Sequence, residues 1–163
     1  MTENYQKNIF NYLQKNGIEN FVGVPDSTLK NFISRGLELK KIIIATREEE
    51  AIGIATGMVL ANSPSLVFMQ NAGFANSIST ITSLVQLYSI PLIFLIGWRG
   101  FLPNDAPEHT KIGKIQPSLL KLLSLRYLLR AELTHLPILN VISSLYLLFL
   151  YLLPLSIIFF LLF

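Results

Sequence analysis

The sequence predicts an α/β fold in which a parallel sheet is flanked by helices. Four short apolar runs predict strands over 21–24, 42–45, 66–69 and 92–96. Between them lie stretches whose apolar residues recur at helical spacing. Strands that alternate with helices are typical of a parallel sheet covered on both faces. Continuous apolar runs are also typical of strands buried on both faces.

The helices are predicted from apolar spacing and from residues that start or stop a helix. The first carries Tyr5, Ile9, Tyr12 and Leu13 and stops at Gly17. Further helices are predicted after Ser27 as the N-cap, over 47–61, over 75–87 and from near Pro117, and the polar stretch 97–113 is predicted to be a loop.

Composition divides the chain into a domain, residues 1–125, and an apolar tail, residues 126–163. Charged residues make up 14% of the chain and Glu132 is the last of them, whereas an average soluble domain has about 25%.

The net charge of +3 without a basic run gives no support for nucleic-acid binding. The absence of cysteine excludes disulfides and thiolate metal sites. The polar residues 1–7 are not a signal peptide, so we expect the domain to be cytoplasmic.

Ligands of open α/β sheets bind beyond the carboxyl ends of the strands. The segments at this edge are polar or contain glycine, unlike the plain turns at the opposite edge. These segments are 25–27, 47–50, 70–73 and 97–100.

Three glutamates open the helix predicted over 47–61. Thr46 with Glu49 fits a capping box, and Glu50 is favoured by the helix dipole. Adjacent helical positions point about 100° apart, so the three carboxylates cannot share one site. Glu48 lies closest to the strand end and is the candidate to face a ligand; the alternative is that all three are first-turn acids.

The same helix contains Gly53 and Gly57. A glycine inside a helix costs about 1 kcal/mol relative to alanine. We therefore expect a close backbone approach here, either to the sheet of this chain or to another subunit.

Several ordered motifs carry a family resemblance. They are Val24-Pro25-Asp26-Ser27, the stretch 46–57 with its three glutamates, the stretch 69–77 with Gln70, Asn71 and Gly73, Ile96-Gly97-Trp98-Arg99-Gly100 and Asp105-Ala106-Pro107-Glu108-His109. Over about residues 5–123 the chain resembles the pyrimidine-binding domain of thiamine-diphosphate decarboxylases. The glutamate run is more similar to sulfopyruvate decarboxylase, α subunit. The stretches 24–27 and 97–100 are more similar to phosphonopyruvate decarboxylase.

The resemblance implies a cofactor-activating role for Glu48. In such enzymes a glutamate nine residues before a helix glycine, here Gly57, hydrogen-bonds N1′ of the aminopyrimidine. The carboxyl group favours the imino tautomer, which removes the C2 proton of the thiazolium. The cofactor then serves as an electron sink when CO2 leaves.

The resemblance also implies that Gln70, Asn71 and Gly73 line the cofactor cleft; the alternative is a turn that needs its glycine. His109, in the predicted loop, is a candidate acid–base group by analogy, although a surface histidine is the more common case.

An anionic substrate needs donor-rich partners, and Asp26 and Arg99 are the candidates. Asp26 also fits a turn or cap. The resemblance implies decarboxylation of sulfopyruvate to sulfoacetaldehyde, as in coenzyme M biosynthesis. The alternatives are a fragment of phosphonopyruvate decarboxylase and a non-catalytic, membrane-attached remnant.

The chain has no Gly-Asp-Gly, the motif that marks the diphosphate-binding and Mg²⁺-binding domain of these enzymes. No residue here is assigned as a metal ligand. We expect a β subunit or a separate domain to hold Mg²⁺ and the diphosphate. The chain is then one part of a carboxy-lyase hetero-oligomer, inactive alone.

The tail has two interpretations. Residues 137–163 are uncharged and long enough for a transmembrane helix. Lys121, Arg126 and Arg130 precede them, as the positive-inside rule requires for a cytoplasmic domain. Alternatively, the tail is the frameshift product of a disrupted gene, which leaves the sheet incomplete at its C-terminal end. The abrupt end of the resemblance favours the second interpretation.

Overall fold

A computed structural model describes residues 2–101, 103–130 and 157–161. Within this part of the chain, parallel strands form a single sheet in the order β2-β1-β3-β4-β6-β5. The strands are β1 Asn20–Gly23, β2 Ile42–Ile44, β3 Ser65–Gln70, β4 Ile93–Gly97, β5 Arg126–Arg130 and β6 Ile157–Leu161. The four predicted strands, their parallel direction and the flanking helices are thereby confirmed.

The helices alternate with the first four strands. They are α1 Thr2–Lys15, a 3-10 turn Ser27–Leu29 followed by α2 Lys30–Glu38, α3 Glu48–Leu60, α4 Asn71–Asn76, α5 Ile78–Thr80 with a π-helical segment Ile81–Gln86, and α6 Pro107–Leu122.

Each face of the sheet carries its own core. Phe21 of β1 and Phe68 of β3 face α1 and α2, where they pack with Phe10 and Phe32. The ring centroids of Phe10 and Phe21 lie 4.2 Å apart. The alternate strand residues, Val22 among them, point to the other face and pack against α3 and α4. Burial on both faces explains why the strands are uninterrupted apolar runs.

Three predicted helix starts differ from the structure. Asp26, not Ser27, caps the 3-10 turn, because its carboxylate accepts from the Thr28 N–H. The helix predicted over 75–87 begins at Asn71, directly after β3, and changes to π-helical geometry at Ile81.

The predicted loop over 97–113 is the third difference. Its second half is helical, because α6 begins at Pro107 rather than near Pro117. Proline is favoured in the first helical turn, where its missing N–H leaves no bond unmade. Pro117 lies inside α6.

The tail contributes to the sheet where it is described. β6 pairs with β4 from Ile93↔Ile157 to Gly97↔Leu161, and β5 pairs with β6. The prediction of a helix is therefore wrong for Ile157–Leu161, whose β-branched and aromatic residues favour a strand. The sheet also extends beyond the four strands expected of an incomplete domain.

Residues 131–156, which hold most of the predicted transmembrane helix, lie outside the described residues. Among the helices that the structure describes, none has the length and apolar character needed to cross a membrane. The frameshift origin of the tail stays a hypothesis.

Candidate active site

The carboxyl ends of β1, β3 and β4 form one edge of the sheet. β3 lies between the other two, and Gln70 at its end is in register with Gly97 at the end of β4. The segments that follow these strands are therefore neighbours, and they carry most of the predicted site residues.

Glu48 and Gly73 are brought together at this edge. Glu48 is the first residue of α3 and is half-buried. Its side chain lies directly over Gly73, so that a Cβ on Gly73 would collide with Oε1 and lie 2.5 Å from Cγ and Cδ. No described residue forms a hydrogen bond with the Glu48 carboxylate. Among the described residues, the carboxyl group thus has no partner that would compete with a ligand or with solvent.

The other two glutamates have structural contacts, but the predicted capping box is wrong. The N-cap of α3 is Arg47, which places Glu50 rather than Glu49 in the third helical position. The Thr46 N–H and hydroxyl both donate to Glu50 Oε2, at 2.8 and 2.6 Å. These hydrogen bonds lower the pKa of Glu50, and the bond from the Thr46 hydroxyl has the larger effect. Glu49 Oε2 lies 3.6 Å from Arg47 Nε.

Asn71 fixes the segment after β4. Its side chain is fully buried; Nδ2 donates to the Arg99 carbonyl at 2.9 Å, and Oδ1 accepts from the Arg99 N–H at 3.1 Å. Both polar groups of this amide are thus committed to the backbone of Arg99. Gln70 instead directs Nε2 towards Asp26 Oδ1, at 3.3 Å.

Asp26 is a buried carboxylate at the end of β1, with 6% of its surface exposed. It accepts from the Thr28 N–H at 3.3 Å and from the Thr28 hydroxyl. A Cβ on Gly97 would collide with Asp26 Oδ2, so this glycine makes room for the carboxylate. The alternative role of Asp26 as a cap is therefore present in the structure, together with its place at the site edge.

Arg99 forms an ion pair with Asp105, which the sequence did not single out. Arg99 Nε lies 3.0 and 2.9 Å from the two Asp105 oxygens, and Nη2 lies 2.5 Å from Oδ1. This pairing raises the pKa of Arg99 and holds the pKa of Asp105 well below its usual range. Arg99 Nη1 donates to Ser27 Oγ at 3.3 Å. In the sequence, Asp105 stood out only as the first residue of the motif that ends at His109.

His109 lies in the first turn of α6, so its predicted place in a loop is wrong. Its side chain is half-buried. Its carbonyl packs against Gly100, which has φ +76° and where a Cβ would collide with that oxygen. The first turn of α6, which carries His109, is thus packed against Gly100. The structure records no hydrogen bond from the imidazole to the other described site residues.

Gly53 and Gly57 lie on the exposed face of α3, and no atom approaches within 4 Å of a Cβ built at either position. The expected close approach to the sheet is therefore wrong for the described part of the chain. The alternative, a contact with another subunit, stays a prediction.

A bound metal ion has no ready ligand set at this edge. Among the described residues there is no cluster of three or more His, Cys, Asp or Glu side chains. For the pyrimidine of thiamine diphosphate, by contrast, the residues fit. Glu48 offers a carboxyl group whose oxygens bond no described residue, beside a glycine that leaves room.

Comparison with known proteins decides the family. The model of the thiamine pyrophosphate enzyme N-terminal TPP-binding domain matches residues 3–115. The chain belongs to this family. The predicted resemblance is thereby confirmed, and the four parallel strands β1 to β4 with their flanking helices are consistent with this domain.

The relatives include three decarboxylases. Sulfopyruvate decarboxylase subunit alpha of Methanocaldococcus jannaschii is 40% identical over 108 residues, which are 65% of this chain and 64% of the relative. The subunit of the same name from Methanococcus maripaludis is 32% identical over 127 residues, 76% of this chain and 75% of the relative. Phosphonopyruvate decarboxylase of Streptomyces viridochromogenes is 31% identical over 121 residues, 72% of this chain but 30% of the relative.

Proposed function

We propose that this chain is the pyrimidine-binding subunit of a thiamine-diphosphate-dependent decarboxylase that converts sulfopyruvate into sulfoacetaldehyde and CO2, as in coenzyme M biosynthesis. The observation that carries the proposal is the Glu48 carboxyl group, which lies over Gly73 at the carboxyl edge of the sheet without a hydrogen bond to the described residues. The names of the relatives at 40% and 32% identity support sulfopyruvate as the substrate.

Glu48 is the catalytic carboxyl group in this proposal. When bound, thiamine diphosphate supplies the electron sink for the pair left behind as CO2 departs. Glu48 shares a proton with N1′ of the pyrimidine, and its half-buried carboxyl group lies at the ligand edge of the sheet. Gly73 leaves room for the Glu48 side chain, which lies where a Cβ at this position would be.

The remaining predicted residues have supporting roles. Gln70 and Asn71 shape the cofactor cleft: Asn71 fixes the backbone of Arg99, and Gln70 donates to the Asp26 carboxylate at the end of β1. His109 acts as an acid–base group when substrate is bound, because catalytic hydrogen bonds often form only in the complex.

Substrate recognition falls to Arg99 and Asp26. Arg99 Nη1 points across the end of β3 to Ser27, and this side of the guanidinium meets the sulfonate. Asp26 already accepts from Thr28 and Gln70. Its role is therefore to orient these donors rather than to touch the anion.

The diphosphate and Mg²⁺ are held by a β subunit or another domain. The relatives named subunit alpha support a hetero-oligomer. The open face of α3 at Gly53 and Gly57 supports a partner chain there, since helix glycines without a contact cost stability. The isolated chain is then inactive. Its cytoplasmic location remains a prediction.

The test is reconstitution. The full chain is mixed with a partner subunit that carries Gly-Asp-Gly, thiamine diphosphate and Mg²⁺, and CO2 release is followed with sulfopyruvate and with phosphonopyruvate. Glu48→Gln should lower kcat by at least about a hundredfold, whereas the neighbouring Glu49→Gln should leave kcat near wild type. A folded complex without decarboxylation, or an active Glu48→Gln variant, would overturn the proposal. Preference for phosphonopyruvate would support that enzyme instead.

A further inference from the structure

We propose that Asp105 is a positioning residue, which holds the guanidinium of Arg99 so that Nη1 meets the sulfonate end of the substrate. This inference rests on the proposed function for the identity of the substrate. It rests on the contacts of Asp105 for the positioning itself.

The Asp105 carboxylate accepts hydrogen bonds from the Arg99 side chain and from two backbone N–H groups. The Arg99 donors are Nε and Nη2. On the same loop the Gly100 N–H donates to Oδ2 at 2.6 Å, and the Ala106 N–H donates to Oδ1 at 2.8 Å. Ala106 is the N-cap of α6. The carboxylate therefore joins the end of β4 to the start of α6 as well as binding the guanidinium.

The contacts leave one orientation for Arg99. Its backbone is held by Asn71, and its Nε and Nη2 are occupied by Asp105. Only 19% of the Arg99 side chain and 16% of the Asp105 side chain are exposed. Nη1 remains, and it is directed at the exposed Ser27. An anion would thus be met end-on by Nη1 with the Ser27 hydroxyl beside it.

Charge alone would not attract an anion strongly to this place. The Arg99 cation is faced by the carboxylates of Asp105, Asp26 and Glu108, all of which favour its charged form. Recognition must therefore come from directed hydrogen bonds, whose strength falls steeply when the donor is misaligned. Loss of Asp105 should then weaken anion binding, although it removes a negative charge.

The variants separate orientation from charge. Asp105→Asn removes the ion pair and keeps the shape of the side chain. Glu108→Gln removes an equal charge from an exposed carboxylate that also faces Arg99 but forms no hydrogen bond with the described residues of this loop. In the reconstituted enzyme, Asp105→Asn should raise the KM for sulfopyruvate about tenfold and change kcat by less than about twofold. Glu108→Gln should change neither.

A double-variant cycle tests whether Asp105 acts through Arg99. In an Arg99→Ala background, Asp105→Asn should cause no further rise in KM, because the group it positions is gone. A merely structural role in the loop would give effects that add. Additive effects, or an unchanged KM in the single variant, would overturn the inference.

Two measurements on the full chain need no catalysis. The Arg99 Nε–H, assigned by its loss in Arg99→Ala, should exchange slowly with solvent in NMR spectra and at least about tenfold faster in Asp105→Asn. Binding of sulfoacetate, a small sulfonate probe, should weaken about tenfold in Asp105→Asn and not in Glu108→Gln. Equal exchange rates or equal sulfoacetate affinities in wild type and Asp105→Asn would overturn the inference.

The two proposals can fail separately. A wild-type mixture that decarboxylates neither 2-oxo acid, while the sulfoacetate and exchange results hold, would overturn the proposed function and support the positioning role. An active mixture that is indifferent to Asp105→Asn would do the reverse.

Discussion

Replacing Gly73 by alanine should damage the site without damaging the fold. The new Cβ would lie 2.5 Å from Cγ and Cδ of Glu48 and closer still to Oε1, whereas ordinary contacts begin at 3.4 Å, so the side chain must retreat by at least 3.4 − 2.5 = 0.9 Å. A misplacement of about 1 Å in a catalytic group costs about a hundredfold in rate. We therefore expect kcat for decarboxylation to fall about a hundredfold in the reconstituted enzyme, which corresponds to about 2.7 kcal/mol.

Stability should move in the opposite direction. Gly73 lies within α4, where alanine is favoured over glycine by about 1 kcal/mol. The free energy of unfolding of Gly73→Ala, measured in urea, should thus be no lower than that of wild type. Ala75→Gly, in the same helix, is the matched control and should lose stability but keep kcat. An active Gly73→Ala variant would refute the assignment of Glu48, and a less stable one would refute the assumption that Glu48 moves freely.

Three further predictions concern other regions. Gly53→Ala should raise the free energy of unfolding of the isolated chain by about 1 kcal/mol and weaken assembly with the partner subunit in analytical ultracentrifugation; unchanged assembly would show that no partner packs there. Because the folded pKa of Asp105 lies below its unfolded value, its stabilising contribution is present above about pH 4 and is lost as the pH falls through the folded pKa. The difference in the free energy of unfolding between wild type and Asp105→Asn, measured in urea, should hence be largest above about pH 4 and shrink progressively at lower pH, and a constant difference would contradict the pairing. Phe10→Ala, at a fully buried ring, should lower the free energy of unfolding by about 3–5 kcal/mol, measured by the same method; a loss below about 1 kcal/mol would contradict the aromatic core.

The sheet could be predicted because its physical signals are local. Each of the first four strands contains a run of apolar residues, buried on both faces in the central strands β1, β3 and β4, and the intervening stretches are long enough for crossover helices. Chain order then fixes which strand ends share an edge with polar segments. The proximity of Glu48 to Gly73 followed from this rule once α3 and α4 were placed.

What could not be predicted depends on contacts between segments. The start of α6 had a local signal in Pro107, but a proline also ends helices and favours loops. The pairing of Arg99 with Asp105 requires the loop between them to turn back on itself, which charge spacing does not specify. The open surface at Gly53 and Gly57 is likewise a property of the assembled domain, because a sequence does not reveal which helix face the sheet covers.

The junction between β3 and α4 has a consequence for how the length of this chain can vary. Gln70 ends the strand and Asn71 begins the helix with no residue between them. Insertion of a single residue there would rotate every following position of α4 by about 100°. Gly73 would then turn away from Glu48, and Asn71 would lose both bonds to Arg99. Natural length variation should consequently be absent from this junction and concentrate in the turn between α3 and β3, on the far side of the sheet.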